Sequence, residues 1–378
     1  MSLVARTAAL FRPRSGAVSV GPIGVDIALE AMHLVQLESA GNHKPIVRAK
    51  ASLEINGSRR ELLQQPHQFR SLIKRALASD RFQGNKAVLA LPSGMFRTVS
   101  INYQLAGGEN EPAAILRAMK GRLDGDLASY VLDYMPVGGR SKSDEKLALV
   151  AVSERDKVVD YLELARKAGL DVDALEIGPL AISRLTSAIS EDSGSSTILV
   201  VNSGRRASYL TLISGSDLLF DQEVAIGEQS LVQHICETLD MPEDTARHLL
   251  SRTSVNPDNS DDALSEALDE TGLINTLSEI LKPQFMKLVE EIKRAFLYAA
   301  SETRGRGVTE VYLLGSIARW PGAEEMLSNL SGSKVSKIPN PLALFPSEDN
   351  TNTQAIATFA PEIAVATGLA LRGMSLNG

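Results

Sequence analysis

The sequence has one cysteine, Cys236. A single thiol excludes any disulfide within the chain and any cysteine-built metal cluster, and it suits a reducing compartment. Aromatic residues make up only 4% of the chain, which disfavours a surface that stacks bases. The net charge is −7 and the cations form no long stripe, so nucleic acid is not an expected partner. No apolar run approaches the length of a spanning helix. The five histidines, His33, His43, His67, His234 and His248, show no HxxxH-type pairing, which argues against a metal centre built on them. His234 and Cys236 are two residues apart and cannot share a helix face. There is no GxSxG, and no Ser–His–Asp assignment follows.

What is present is the composition of a globular protein, 44% apolar and 22% charged over 378 residues. That length suits two halves, each with its own core. The most informative stretch is Thr197 to Ile213, TILVVNSGRRASYLTLI. Ile198 to Val201 is β-branched and bounded by small polar residues, which marks a buried strand. Asn202-Ser203-Gly204 supplies a tight turn. An alternating second strand follows, then the turn Ser214 to Asp217, and a third strand from Leu218 to Ile226. The same shape occurs near the start, with strands at Ile23 to Ile27, Met32 to Leu37 and Pro45 to Leu53. Overlaid, Asp26 falls on Asn202, Ala28 on Gly204 and His33 on Tyr209. An internal duplication of strand–turn–strand–turn–strand is the reading.

Between these units the spacing predicts a helix over Pro66 to Ser79, a strand at Lys86 to Leu91 and another at Arg97 to Tyr103. A helix carries Ile115, Leu116, Met119 and Leu123. Strands follow at Val131 to Val137 and Lys146 to Val152. Ser153 reads as the N-cap of a helix ending at Ala168, with Gly169 as its left-handed cap. A short strand at Leu175 to Ile177 and a linking helix at Leu180 to Ile189 precede the polar joint Ser190 to Ser196. The second half continues through helices to Thr303. Asn256 to Asp262 is an acidic loop, with a helix over Asp261 to Glu270, and Pro283 is expected to kink or divide the long helical pattern from Leu273. A strand at Thr309 to Leu314 leads into Gly315-Ser316, and Pro361 to Leu371 is a final helix with Ala364, Gly368 and Ala370 as small packing residues. The domain reading is an arm at 1–20, a first half at 21–190 with an inserted subdomain at about 86–169, and a second half at 197–378 with a helical subdomain at about 228–305. The arm carries Arg6, Arg12 and Arg14 and no acid before Asp26. It reads either as a frayed leader or as a short amphipathic segment bearing Leu3, Val4, Leu10 and Phe11.

Several stretches carry a resemblance: IGVDIALEAMHLVQLE, VLALPSGMFRTVSI, VLDYMPVGG, LALVAVSERDKVVDYLELARKAGL, VYLLGSIARWPGAEEML, IPNPLALF and APEIAVATGLALR. In this order they resemble the actin-like ATPase superfamily, and in it the branch of the cell-division protein FtsA and the type IV pilus assembly protein PilM. FtsA-like proteins end in a membrane-binding helix beyond a linker. This chain stops at Gly378 soon after its last packed helix, which favours the pilus side. The resemblance implies an α/β, duplicated actin-like (ribonuclease H-like) fold with an inserted subdomain and a cleft between the halves.

It also implies that two hairpin turns grip the phosphates of ATP with Mg²⁺, while a strand–Gly–helix element backs the adenosine. Carried onto this chain, the nucleotide-binding positions are Asp26, Asn202, Gly204, Gly315 and Ser316, with Asp26 holding Mg²⁺ through water. The match is incomplete. Ala28, Leu29 and Glu30 stand where the family has Gly and small polar residues. His33 replaces a common Lys, so a fixed cation becomes a titratable one, and Asn202 replaces Asp and brings no charge. Arg205 and Arg206 are candidates to clasp phosphate. The expectation is a weakened nucleotide site, no catalytic residues and a scaffold role. The implied partner is the cytoplasmic N-terminal peptide of a PilN-like inner-membrane protein, held in a groove between the first half and the insert; Phe96 and Met119 belong to the insert and each reads as core rather than contact. Other pilus assembly proteins and further copies of the chain are further expected partners, at the inner face of the inner membrane. The rival expectations are an active ATPase with Asp26-dependent turnover and an FtsA-like membrane filament.

Overall fold

The computed structural model describes residues 18–29, 31–40, 45–137, 146–189, 196–215, 217–257, 268–303, 305, 307–338, 341–345, 363–372 and 374. Residues 1–17 of the arm, Glu30, residues 190–195 of the joint and residues 258–267 around the acidic loop lie outside these.

The chain begins with three antiparallel strands, β1 (Val18–Ile27), β2 (Ala31–Ala40) and β3 (Ile46–Glu54). Helices α1 (Arg59–Gln64) and α2 (Pro66–Ala78) follow, and α2 buries Phe69, Leu72, Ile73 and Ala76 at helical spacing. Strand β4 (Lys86–Leu91) then pairs parallel with β1. The next segment forms a sheet of its own: β5 (Phe96–Tyr103), helix α3 (Glu111–Met119), β6 (Tyr130–Val137) and β7 (Lys146–Glu154), in the order β5-β7-β6. Helix α4 (Arg155–Ala168) leads to β8 (Asp171–Ile177), which closes the first sheet as β3-β2-β1-β4-β8. Lys86–Leu91 and Arg155–Ala168, read from sequence as parts of the insert, therefore pair and pack with the first sheet. The separate three-stranded sheet spans Phe96–Glu154.

Helix α5 (Gly178–Ile189) crosses to the second half. There β9 (Thr197–Ser203), β10 (Ser208–Ser214) and β11 (Asp217–Val224) repeat the antiparallel opening. Helices α6 (Glu228–Leu239), α7 (Glu243–Arg252) and α8 (Leu268–Glu302) come next, then β12 (Glu310–Gly315), α9 (Ala323–Ser331), β13 (Val335–Lys337) and α10 (Ala364–Ala370). The second sheet runs β11-β10-β9-β12-β13. Strand for strand it has the order and sense of the first, so the duplication read from sequence is a duplication of topology.

Three helix expectations differ from the structure. Helix α3 ends at Met119, so Leu123 lies beyond it. Ser153 does not cap α4. It lies inside β7, its hydroxyl donates to the Met95 carbonyl at 2.6 Å, and the helix starts from Glu154 without a side-chain cap. Pro283 does not divide its helix; α8 runs 35 residues through it. The missing backbone bond and ring clash cost about 3 kcal/mol. Leu277, Leu281, Phe285, Leu288, Val289 and Ile292 are all buried on one stripe, each contributing about 1.5–3 kcal/mol, so packing outweighs the proline.

Three cores result. One lies under the first sheet against α2 and α4, and a second lies between the second sheet and α6 to α8. The third lies between the two sheets, where Val35, Leu37, Ile198, Val200 and Ile213 meet α5 and α10. Helix α10 enters there because its contacts are backbone to backbone. A Cβ on Gly24 would stand 2.2 Å from the Ala366 carbonyl, and one on Gly368 would stand 2.0 Å from that of Ala181. The small residues expected at the last helix are thus placed at its crossings. In the three-stranded sheet, Ala148, Val150 and Val152 face Ala114, Ile115 and Met119 of α3, while Leu147 and Leu149 join the cores of the second half and the sheet interface.

Candidate functional site

The two hairpins set the site. On β1 and β2, Asp26 pairs with His33; on β9 and β10, Asn202 pairs with Tyr209. These are the pairs that overlay in sequence. Both hairpins open onto one cavity of about 470 Å³ between the halves, whose wall includes Asp26, Asn202 and Gly204. Ala28 and Leu29 line it too, bringing apolar side chains to the first turn.

His33 is fully buried. Its Nδ1 lies 2.9 Å from Ser52 Oγ on β3, and Nε2 has no hydrogen-bond partner among the described residues. Burial lowers its pKa to about 4, so the ring is neutral near pH 7 and does not stand in for a lysine. Burial pushes Asp26 the other way, up to about 6, with the Arg59 guanidinium opposing.

Arg59 is held by local structure. Ser58 caps α1 in a reciprocal box: its Oγ accepts from Glu61 N–H at 3.2 Å, and its own N–H donates to Glu61 Oε2 at 3.0 Å. That fixes Arg59 as the first helical residue. Its side chain reaches the cavity and donates to the Ile27 carbonyl at 3.3 Å and to Ser93 O and Oγ at 2.5 and 3.1 Å.

The opposite wall comes from the second half. Asp221 on β11 accepts from Thr211 Oγ1 at 2.7 Å, and burial, against that bond and with Glu223 adding, pushes its pKa up to about 7. Burial also raises the Tyr209 phenol. Glu228 opens α6 and is almost covered. It meets Arg247 at 3.1 Å and Arg319 at 3.7 Å, while Glu243 meets Arg247 at 2.8 Å and Arg205 at 3.5 Å. Arg205, Arg247 and Arg319 all reach the cavity wall; Arg206 is exposed and does not.

Gly315 and Ser316 also lie off that wall. Gly315 has φ +84°, and a Cβ there would sit 2.0 Å from Ser203 O. Ser316 is buried, its N–H and Oγ both donating to Ser203 O, at 2.7 and 3.1 Å. The Ile317 N–H donates to Ser203 Oγ at 2.8 Å. The pair clasps β12 to the end of β9 behind the cavity. Arg59, Asp221, Glu228, Arg247 and Arg319 all line the wall and were not singled out from sequence. The capping signature Ser58-Arg59-Arg60-Glu61 could have located Arg59 on a helix start; nothing local marks the others.

The wall chemistry suits an anion more than a protein-held cation. Four guanidinium groups border it beside four carboxyl groups, Asp26, Glu54, Asp221 and Glu228; burial raises the pKa of Asp26 and Asp221 and so favours their neutral forms, and among the described residues no three His, Cys, Asp or Glu side chains converge as a metal site. A nucleotide's phosphates fit this donor set; among the described residues of the two hairpin turns, only Asp26 offers a magnesium ion a charged ligand.

Two sheets of one topology, joined across a cleft, define an actin-like two-domain fold. The family of type IV pilus assembly protein PilM matches residues 24–374, and this chain belongs to that family. The solved structure of a PilM–PilN type IV pilus biogenesis complex is similar at 20% identity, covering 94% of this chain and 99% of that chain, with a TM-score of 0.72. The ethanolamine utilization protein EutJ from Carboxydothermus hydrogenoformans is similar at 16% identity, covering 94% of this chain and 90% of its own, with a TM-score of 0.51. At these identities both are likenesses of fold. Among the described residues, no helix is long and apolar enough to cross a membrane.

Proposed function

We propose that the chain is an actin-like scaffold of a type IV pilus or related secretion machine. It works on the cytoplasmic side, peripheral at the inner face of the inner membrane. There it holds the short N-terminal peptide of a PilN-like membrane protein and contacts other assembly proteins, including further copies of itself. The observation that carries this reading is the family match over 24–374, in a chain whose fold is that of a PilM found in complex with PilN.

The groove for the peptide is the one between the first half and the three-stranded sheet. Phe96 lies at this junction: it begins β5, packs against the first-half core and reaches the cavity. Met119 is fully buried against the three-stranded sheet and serves the core, not the peptide. Extended peptides commonly dock in such grooves through apolar pockets. Nucleotide in the cleft is a ligand here and not a substrate. Hydrolysis needs a positioned metal and water, and with Leu29, a neutral His33 and Asn202 the turns supply little to position them.

The test is calorimetric binding of the full chain to a synthetic peptide of the membrane partner's N-terminus. Phe96 pairs with Ser153, so the ends of the separate sheet lie side by side and residues 96–154 can be replaced by a short turn. Loss of binding in that variant, if it folds, is expected; undiminished binding would place the peptide elsewhere. Asp26-dependent phosphate release from MgATP would overturn the ligand-only role of nucleotide.

A further inference from the structure

We infer that the cleft takes the phosphates of a nucleotide directly on guanidinium groups, with Arg59 supplying the positive charge a magnesium ion would otherwise bring, so that binding is independent of divalent cations. This rests on the reading that the cleft takes a nucleotide at all.

Arg59 is placed in advance of any ligand. It spans the loops that follow β1 and β4, bonding Ile27 O in one and Ser93 in the other. These two strands are adjacent and parallel, and the space beyond the carboxyl ends of such strands is where ligands collect in α/β sheets. A guanidinium has five N–H groups. Three are used in the bonds to Ile27 O, Ser93 O and Ser93 Oγ. Among the described residues, one Nη1 hydrogen and Nε–H have no hydrogen-bond acceptor, on a residue that lines the cavity. A fork already fixed in place loses little freedom when it binds an oxyanion.

The facing wall adds more guanidinium groups. Arg205, Arg247 and Arg319 line it together with Asp221 and Glu228, and Glu228 and Glu243 hold the three arginines in place. A second observation points to a ligand independently of the arginines. His33 is fully buried, borders the cavity, and its Nε2 has no partner among the described residues. A buried polar atom left unpaired in a native fold calls for a ligand or an ordered water. The cation side is poor by comparison. Magnesium bound to phosphate is steadied by carboxylates that hold its waters. Among the described residues of the two hairpin turns, one contributes Asp26, which already faces Arg59, and the other contributes the neutral Asn202.

The experiment is isothermal titration of the full chain with ATP, once in magnesium and once in EDTA at equal ionic strength. Dissociation constants within about threefold of each other are expected. Arg59→Met should weaken ATP binding by about tenfold or more in both buffers, because a charge-assisted contact is lost. Arg59→Lys should recover only part of this, since a point charge lacks the fork. Ligand-free melting temperatures establish that each variant is folded; should the Met variant fail, the Lys variant carries the comparison. Binding abolished by EDTA and restored by magnesium would overturn this inference and leave the nucleotide reading standing. Native affinity in both Arg59 variants would overturn the assignment to Arg59. No ATP binding in either buffer would overturn both.

Discussion

Replacing Asp26 by Asn, or His33 by Gln, should unmask a pH dependence that the native chain conceals. The two residues are cross-strand partners, and burial moves them in opposite directions. Asp26 goes from 3.8 to about 6, and His33 from 6.5 to about 4. For Asp26 the folded value is raised, so its stabilising effect is full below the unfolded value and is lost as pH rises through about 6. For His33 the folded value is depressed, so its effect is full above the unfolded value and is lost as pH falls through about 4. Folded, the pair releases protons near 4 and 6; unfolded, near 3.8 and 6.5. The sums nearly match, so the native chain should show little net slope from this pair. In Asp26→Asn only His33 remains, and stability should fall by about 2 kcal/mol between pH 7 and pH 5. In His33→Gln only Asp26 remains, and stability should rise by about 1 kcal/mol over the same interval. The assay is urea unfolding followed by far-UV circular dichroism at several pH values, with EDTA and no nucleotide. Fluorescence of Trp320, buried in the second half, reports whether that half unfolds in the same transition. Parallel pH profiles for all three proteins would refute the reasoning.

Gly368→Ala should destabilise by about 1–3 kcal/mol, because its Cβ would press on the Ala181 carbonyl where two backbones touch; an unchanged melting temperature would contradict the crossing. Gly272→Ala, exposed in α8 with nothing within 4 Å, should instead stabilise by about 0.5–1 kcal/mol in the same measurement. Glu176 is a buried carboxylate that Arg184 holds through two bonds, at 2.8 and 3.0 Å, and that Arg372 also contacts. Glu176→Ala should cost about 2 kcal/mol or more in chemical unfolding, below the full penalty of a dry ion pair because water reaches both arginines. Glu163→Ala, which removes the exposed partner of Lys167, should stay within about 0.5 kcal/mol.

The fold was legible in the sequence wherever local periodicity and long-range pairing agree. Alternation around Asn202-Ser203-Gly204 and around Asp26 specifies not only hairpins but their register, which is why Asp26–His33 and Asn202–Tyr209 are both overlaid residues and real neighbours. Half of the site could not be read in this way. Arg59 comes to Asp26 only because Ser58 starts a helix whose first residue turns back over β1. Arg247 and Arg319 meet through Glu228 from three separate elements, and no spacing along the chain encodes that meeting. Gly315-Ser316 has the composition of a ligand turn, yet the same smallness lets β12 close on Ser203. His33 looks like an exposed switch by residue type, and only its burial under the cavity makes it neutral.

The crossing of α10 over Gly24 and Ala181 has a consequence for how the chain matures. β1 and α5 are made early, but the surface they share is covered by a helix translated only after the whole second half. Until then the face that α10 covers, with Gly24 of β1 and Ala181 and Ile182 of α5, is without that helix. The first half is therefore not closed ahead of the second; both close together when α10 arrives. A ribosome stalled before Ala364 would hold a sticky intermediate, exposed to chaperones and proteases, that the seven residues of α10 would seal.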